Sequence, residues 1–191
     1  MIFRELVIPG VFVIEPEPIR DPRGFFARTL ERDELVRRGL EGDYSQSSIA
    51  WNESAGTVRG QHFQFPPDAE VKLVRCTRGA ILDVVVDLRP ESPSFGTSVA
   101  ARLDAENRAT LYVPERFAHG YQTLEDDTEV AYQMNAAYAP DSSGGIHHAD
   151  PALAIEWPLL VGLVSDRDRT LPTLAAAAEE LRRRMSVEAA R

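Results

Sequence analysis

The sequence predicts a mainly β single domain, a sandwich or barrel of short strands, with few helices and a helical tail. The 191-residue chain is long enough for one domain with a sizeable core. Six short segments rich in Val, Ile, Leu, Thr and Tyr follow one another at close spacing, which is typical of sandwiches and barrels. A long helical pattern of Ala, Glu and Arg lies near the C-terminus.

The strands can be justified in chain order. An N-terminal strand is expected within residues 1–8, where it could pair with a second subunit. Turn residues bound most of the central segments, and the two prolines at 90 and 93 make 87–93 a turn. The central strands are predicted at residues 57–64, 71–76, 80–87, 97–103, 109–113 and 129–135.

Two helices are predicted. Residues 31–40 form a short amphipathic pattern with Leu35, Val36 and Leu40 on its apolar side. Residues 174 to about 190 form a stronger one, with Thr173 as a plausible N-cap. We interpret the arginine run at 182–184 as a solvated face of that helix.

Composition excludes several classes of function. The formal net charge is −9, which argues against nonspecific nucleic-acid binding. No apolar run approaches the roughly 20 residues needed to cross a bilayer, and no secretory signal is visible, so no membrane association is expected. The single cysteine, Cys76, rules out an internal disulfide framework and fits a reducing cytoplasm.

Polar residues in the predicted strands suggest a pocket. The chain has 20 arginines but one lysine, Lys72, which chance alone could explain. Period-two alternation puts His62 and Gln64 on one strand face. If these residues and Lys72 face inward, the interior is polar, which suits a ligand pocket better than a core. Asp83 in the third strand would need a bulge or turn to join them. A strand histidine that is merely hydrogen-bonded in a core remains the alternative.

Metal and nucleophile chemistry are not expected. His62 is followed by Phe63 and Gln64, so the His-x-His pair of metal-binding barrels is absent. His147 and His148 are adjacent in a predicted loop and would point in opposite directions. Cys76 lies in an apolar strand, which favours an inert packed thiol. No nucleophile elbow, Walker loop or dinucleotide fingerprint occurs.

A series of ordered motifs carries a family resemblance. They are DPRGFF (21–26), RGQHFQ (59–64), KLVRC (72–76), DVVVDLR (83–89), SPSFG (92–96), VPERFAHG (113–120), EVAY (129–132), YAP (138–140), DP (150–151), IEWP (155–158) and SDRD (165–168). In these motifs the chain resembles the dTDP-4-dehydrorhamnose 3,5-epimerase family from about residue 3 to residue 172. The predicted organisation is therefore an epimerase domain over 1–172 and a helical tail over 173–191.

The resemblance implies a cupin-type jelly-roll β-barrel that forms a homodimer and works without metal or organic cofactor. It assigns His62 as general base and Asp168 as the carboxylate that orients it. It places Lys72 beside the keto oxygen of a nucleotide-diphosphate sugar, and Tyr132 as the acid on the opposite face. The substrate-binding residues that it suggests are Arg23, Arg28, Gln46, Arg59, Asp83, His119, Tyr138, Ser143 and Arg167.

Three departures from the family pattern leave the nucleotide and exact sugar open. Arg28 stands where the family commonly has an acidic residue. Ser143 stands where a glutamate is common. The run 147–149 replaces a more usual Trp-Asp or Trp-Asn.

The function that the resemblance implies is inversion of C3 and C5 of a nucleotide-linked 4-keto-6-deoxy sugar by enolisation and reprotonation. Histidine titrates near neutral pH, and a lysine charge can stabilise the developing enolate. Guanidinium groups pair bidentately with diphosphate. The alternatives are a C3-only epimerase of deoxysugar or heptose biosynthesis, a non-catalytic sugar-binding cupin and a metal cupin.

Overall fold

In the computed structural model, which describes residues 1–186, two antiparallel β-sheets face each other across a common core. In spatial order, the six-stranded sheet contains β1 (Ile2–Glu5), β2 (Phe12–Glu15), β10 (Thr110–Val113), β7 (Lys72–Arg78), β12 (Thr128–Met134) and β5 (Gln46–Asn52). The five-stranded sheet contains β13 (Ser143–Gly145), β6 (Val58–Gln64), β11 (Phe117–Thr123), β8 (Ala80–Asp87) and β9 (Ser98–Asp104). A separate hairpin pairs β3 (Ile19–Asp21) with β4 (Gly24–Phe26).

The core between the sheets comes from alternate residues of the facing strands. Val74 and Cys76 of β7 and Val130 of β12 meet Ile81 and Val85 of β8 in one buried cluster. Burying each such aliphatic side chain contributes about 1.5–3 kcal/mol. Burial also raises the pKa of the Cys76 thiol to about 11, so the thiol stays protonated and unreactive, as the sequence predicts.

The six predicted central strands are confirmed, with ends that differ by at most two residues. Two strands next to the functional site were not predicted. β5 is a mostly exposed edge strand of sequence QSSIAWN, without the apolar alternation that marks a strand. β11, FAHGYQT, is buried along its whole length, but its His-Gly pair reads as a loop. Strand formation here is decided by pairing with neighbours rather than by propensity.

Three α-helices occur within residues 1–186: α1 (Arg32–Arg37), α2 (Asp166–Arg169) and α3 (Leu174–Arg184). On α1, Leu35 is buried, but Val36 is half exposed, so its assignment to the apolar side was wrong. The Thr173 hydroxyl accepts the Ala176 N–H at 3.3 Å, which confirms the N-cap of α3. No helix of the described part is both long and apolar enough to span a membrane.

Helix α3 packs against the outer face of the five-stranded sheet. Leu181 and Met185 are buried in a cluster with Phe63, Phe65 and other residues. In the predicted solvated arginine run, Arg184 instead covers the Phe65 ring at 3.8 Å. The helix ends at residue 184, short of the predicted end near residue 190. The part of the prediction beyond residue 186 lies outside the described residues.

Candidate active site

A cavity of about 630 Å³ opens between the two sheets. Strands β5, β7 and β12 of one sheet contribute to its wall, and strands β6 and β11 of the other sheet face them. The segment 163–168 closes one side. The predicted site residues that line this cavity are Arg59, His62, Lys72, His119, Tyr132, Arg167 and Asp168.

His62 forms a tight pair with Asp168. The distance from His62 Nε2 to Asp168 Oδ1 is 2.6 Å, and the carboxylate is almost fully buried. Burial by itself would raise the pKa of Asp168. The hydrogen bond and charge of His62 outweigh it, with help from the Gly60 N–H, and the net effect is a lowered pKa. An ionised Asp168 therefore accepts a hydrogen bond from Nε2–H of His62, and in that tautomer Nδ1 carries no proton.

Local backbone features place Asp168 behind His62. The Ser165 side chain caps α2 by accepting the Asp168 N–H at 3.1 Å. The Gly60 N–H donates to Asp168 Oδ2 at 3.1 Å. Gly60 has φ of +113°, and a Cβ there would lie 2.6 Å from Gly120 Cα. Glycine at 60 is thus needed for the close approach of β6 and β11 beside the base.

A second histidine–carboxylate pair lies on the neighbouring strand. His119 is directly opposite His62 in the β6–β11 ladder, and its Nε2 lies 2.6 Å from Asp83 Oδ1. Both residues are buried. Asp83 faces inward by plain alternation with Ile81 and Val85, in unbroken register with β9 and β11. The expectation that a bulge or turn is needed to bring Asp83 inward was wrong, because the face that even-numbered residues take in one strand does not fix the face that they take in the next.

The opposite wall carries the lysine and the tyrosine. Lys72 begins β7, and its Nζ lies 2.9 Å from Glu70 Oε1, with both side chains largely buried. Tyr132 projects from β12, with its ring edge-to-face to His119 at a centroid distance of 6.2 Å. Burial raises the pKa of Tyr132 well above its usual value, and Tyr121 raises it further. Tyr132 is therefore a neutral phenol that can donate a proton across the cavity from His62.

Two arginines that line the cavity are hydrogen-bonded to neighbouring residues. Arg59 Nε donates to Asn52 Oδ1 at 2.8 Å, and Arg59 Nη2 donates to the Trp51 carbonyl at 3.3 Å. Arg167 Nη2 donates to Ser143 Oγ at 2.7 Å. Ser143 thus reaches the site through Arg167. Two guanidinium groups at the mouth of one cavity suit a diphosphate.

Several predicted binding residues lie away from the cavity within the described protomer. Arg23 is exposed in the β3–β4 hairpin, paired with Asp21 at 2.6 Å. Arg28 pairs with Glu31 at 3.3 Å and borders a separate shallow depression. Gln46 starts the edge strand β5, and Tyr138 is exposed. Their roles in substrate binding stay predictions.

Gln64 does not face the cavity, contrary to the expected polar interior. Its amide nitrogen donates to the Asp68 and Ala137 carbonyls at 2.8 and 3.1 Å. Its amide oxygen accepts the Ala139 N–H at 2.6 Å. Gln64 therefore ties down the loop before residue 140, and the wall of the cavity is formed without it.

The structure adds residues that the sequence reasoning missed. Asn52 and Tyr121 line the cavity, and Glu70 pairs with the lysine. Tyr121 lies two positions after His119, so period-two alternation along β11 would have placed it on the same face. Asn52 offered no such signal, because the polar segment around it does not read as a strand.

The cavity's histidines each pair with one carboxylate. Among residues 1–186, no three His, Cys, Asp or Glu side chains are grouped as ligands of one metal ion would be. His147 and His148 instead stack on each other at 4.6 Å between ring centroids.

The comparison with known sequences decides the family. The sequence profile described as dTDP-4-dehydrorhamnose 3,5-epimerase matches residues 5–176. The chain belongs to this family. A family member of that name from Sinorhizobium fredii (strain NBRC 101917 / NGR234) is 41% identical over 175 residues, which are 91% of this chain and 90% of the relative. A dTDP-4-dehydrorhamnose 3-epimerase of Streptomyces niveus is 39% identical over 180 residues, 93% of this chain and 86% of the relative.

A solved structure from the family has the same fold. It is the dTDP-6-deoxy-D-glucose-3,5-epimerase of Legionella pneumophila Philadelphia 1 in complex with dTDP-4-keto-L-rhamnose. The TM-score is 0.86 at 34% sequence identity, with 94% of this chain and 95% of that chain covered. The family resemblance and the cupin-type jelly roll that it implied are thereby confirmed.

Proposed function

We propose that the protein is an isomerase that epimerises C3 and C5 of a dTDP-linked 4-keto-6-deoxy sugar. The expected conversion is dTDP-4-dehydro-6-deoxyglucose to dTDP-4-dehydrorhamnose. One observation carries the proposal: His62 of the five-stranded sheet, paired with Asp168 of α2, faces the neutral Tyr132 of the six-stranded sheet across a single cavity. The substrate class is supported by the names of the relatives and by the dTDP-4-keto-L-rhamnose bound to the Legionella protein.

The first step is removal of a proton from a carbon next to the ketone. Nδ1 of His62 takes the proton, and the C–H electron pair becomes that of an enolate. Asp168 stabilises the imidazolium through its hydrogen bond to Nε2. The ammonium group of Lys72, held by Glu70, stabilises the negative charge on the enolate oxygen.

The second step delivers a proton from the other face. The Tyr132 O–H bond breaks, and the enolate electron pair forms the new C–H bond with inverted configuration. Tyr132 comes from the sheet opposite His62, which is the geometry that inversion of a ring carbon requires. Arg59 and Arg167 hold the diphosphate, and the His119–Asp83 pair positions the sugar. We propose that Arg23, Arg28, Gln46 and Tyr138 add contacts to the nucleotide side of the substrate.

The wild-type reaction in D₂O tests the function. We expect NMR to show deuterium at both C3 and C5 of the 4-keto sugar, because each inversion replaces a carbon-bound proton by one from solvent. Label at C3 alone would support the narrower C3-only epimerase, which the Streptomyces niveus relative favours. Binding of the dTDP sugar without any exchange would contradict an epimerase and identify a sugar-binding cupin.

We also propose a homodimer. Within residues 1–186, β1 lies at the edge of the six-stranded sheet and pairs on one side only, and the neighbouring hairpin exposes Ile19, Phe25 and Phe26. Sedimentation velocity at micromolar concentration is expected to give twice the mass of the 21.2 kDa chain. A species of monomer mass would contradict the proposal. We further propose a cytoplasmic location, which suits a chain with one unpaired cysteine and which cell fractionation can test.

A further inference from the structure

A buried asparagine links the two sheets beside an arginine of the cavity. Asn52 ends β5 in the six-stranded sheet, and Arg59 lies on β6 in the five-stranded sheet. Arg59 Nε donates to Asn52 Oδ1 at 2.8 Å, and both residues line the cavity. The mechanism above assigns Arg59 to the diphosphate and leaves Asn52 without a role.

The orientation of the Asn52 amide is set by its surroundings, where only 3% of the residue is exposed. Its Nδ2 donates to the Thr128 carbonyl at 3.2 Å and lies 3.2 Å from the Tyr121 hydroxyl. Its Oδ1 faces Arg59, which has only donors. A reversed amide would set an N–H against the guanidinium and an oxygen against the Thr128 carbonyl. Oδ1 is therefore fixed as an acceptor for Arg59.

Two acceptors occupy one edge of the Arg59 guanidinium. Asn52 Oδ1 takes the Nε–H, and the Trp51 carbonyl accepts from Nη2 at 3.3 Å. A guanidinium carries five N–H donors in a planar fork, and Nε with Nη2 forms one of the edges that can bind an anion bidentately. The N–H groups of the other such edge, one on Nη1 and one on Nη2, take part in neither bond.

Both partners of Arg59 are neutral. An amide oxygen and a main-chain carbonyl hold the guanidinium without offsetting its charge. Arg23 shows the opposite arrangement, because the Asp21 carboxylate lies 2.6 Å from it and offsets the charge. Arg59 is exposed, so without its two bonds the long side chain would lose more rotamer freedom when a ligand binds.

We propose that Asn52 is a positioning residue for substrate binding, which holds Arg59 so that its Nη1–Nη2 edge meets the diphosphate of the dTDP sugar. The inference rests on the proposed function, which assigns Arg59 to that diphosphate. Asn52 thereby sets the affinity for the diphosphate rather than the rate of proton transfer. Asp168, the partner of the base, is held separately by the Ser165 side chain and the Gly60 N–H.

The variant Asn52→Ala tests this role with ligands that carry and lack phosphate. We expect the Kd of dTDP, measured by calorimetry, to rise roughly tenfold, as for loss of a hydrogen bond to a charged group. The Kd of thymidine, which has no phosphate, should match the wild-type value. In turnover of the dTDP 4-keto sugar, KM should rise with the Kd of dTDP, while kcat at saturation stays at the wild-type level.

Asn107→Ala is the matched control. Asn107 also bonds the main chain through both ends of its amide, to the Arg102 carbonyl at 3.0 Å and from the Ala109 N–H at 2.9 Å. It lies in an exposed turn outside the cavity lining. This variant should keep the wild-type Kd of both dTDP and thymidine.

A double variant separates positioning from packing. In an Arg59→Met background, Asn52→Ala should cause no further loss of dTDP affinity, because the guanidinium on which it acts is gone. An equal loss of dTDP and thymidine affinity in Asn52→Ala would overturn the proposal and assign Asn52 to packing. So would an unchanged dTDP affinity, or an equal further loss in the Arg59→Met background.

A measurement on the unchanged protein tests the same point if Asn52→Ala does not fold. In heteronuclear NMR, the Nε–H signal of Arg59, assigned by its absence from Arg59→Met, should exchange slowly with water both without and with dTDP. The Nη signals should shift when dTDP is added. An Nε–H that exchanges fast in the free protein would overturn the proposal. Absence of deuterium exchange into the 4-keto sugar, with these dTDP results intact, would instead refute the epimerase function and leave Asn52 its role in diphosphate binding.

Discussion

His62→Ala is expected to lose both proton exchange and inversion at every carbon that the wild type labels. We expect no other group of the described site to replace Nδ1 of His62, because the other histidine of the cavity lining, His119, has a side chain only 5% exposed, against 35% for His62. General-base catalysis of this kind contributes roughly 10²–10⁴-fold, and we expect a loss of kcat in that range. The measurement is NMR of a dTDP 4-keto sugar in D₂O, with binding of dTDP followed separately by calorimetry.

Nucleotide binding should be almost unchanged in His62→Ala, since the diphosphate is assigned to Arg59 and Arg167. His147→Ala is the matched control, because His147 is a partly exposed histidine outside the cavity lining. It should retain wild-type exchange. If His62→Ala kept more than about a tenth of kcat, a barrier change of only ~1.4 kcal/mol, His62 would not be the base.

Tyr132→Phe is expected to separate exchange from inversion. The variant lacks the proton donor of one wall, but His62 on the other wall can still remove a proton and return a deuteron from solvent to the same face. Deuterium should therefore enter C3 or C5 with retention, while net inversion falls by roughly 10²-fold or more. The same NMR experiment reports both quantities, since the label and the coupling pattern are read from one spectrum.

If Tyr132 only packs against its neighbours and donates no proton, the expected result differs. A site that collapses without the hydroxyl would lose exchange and inversion together. Tyr44→Phe controls for loss of a partly buried tyrosine hydroxyl elsewhere, since Tyr44 donates to the Glu41 carbonyl. Normal inversion by Tyr132→Phe would remove Tyr132 as the acid and leave Tyr138 or a bound water as the donor.

The outcome of both variants depends on the separation of base and acid between two sheets. His62 and His119 project from the five-stranded sheet, whereas Lys72 and Tyr132 project from the six-stranded sheet. A flat enolate bound between these walls presents one face to each. In the proposed mechanism, the cavity supplies two distinct proton-transfer groups from two sheets, so inversion requires no large movement of the protein.

The order of residues was sufficient to predict the class of fold and to single out four candidate reacting side chains. Short segments rich in Val, Ile, Leu, Thr and Tyr, most of them bounded by turn residues, located the six central strands, because such side chains suit a pleated, half-buried surface. The family motifs supplied His62, Lys72, Tyr132 and Asp168. All four line one cavity, although residues 62 and 168 are more than a hundred positions apart.

Long-range packing decided what local sequence leaves open. β5 and β11 form because neighbouring strands pair with them. Asn52 therefore became visible as a site residue only through sheet register. Gln64 was expected in the pocket, but its side chain is hydrogen-bonded to a loop instead. Asp83 faces inward without a bulge in its strand. The physical reason is that strand alternation assigns two faces within one strand but does not state which face its neighbours bury. That choice depends on contacts between residues distant in the chain, and here those contacts place Asn52 and Tyr121 in the wall of the cavity.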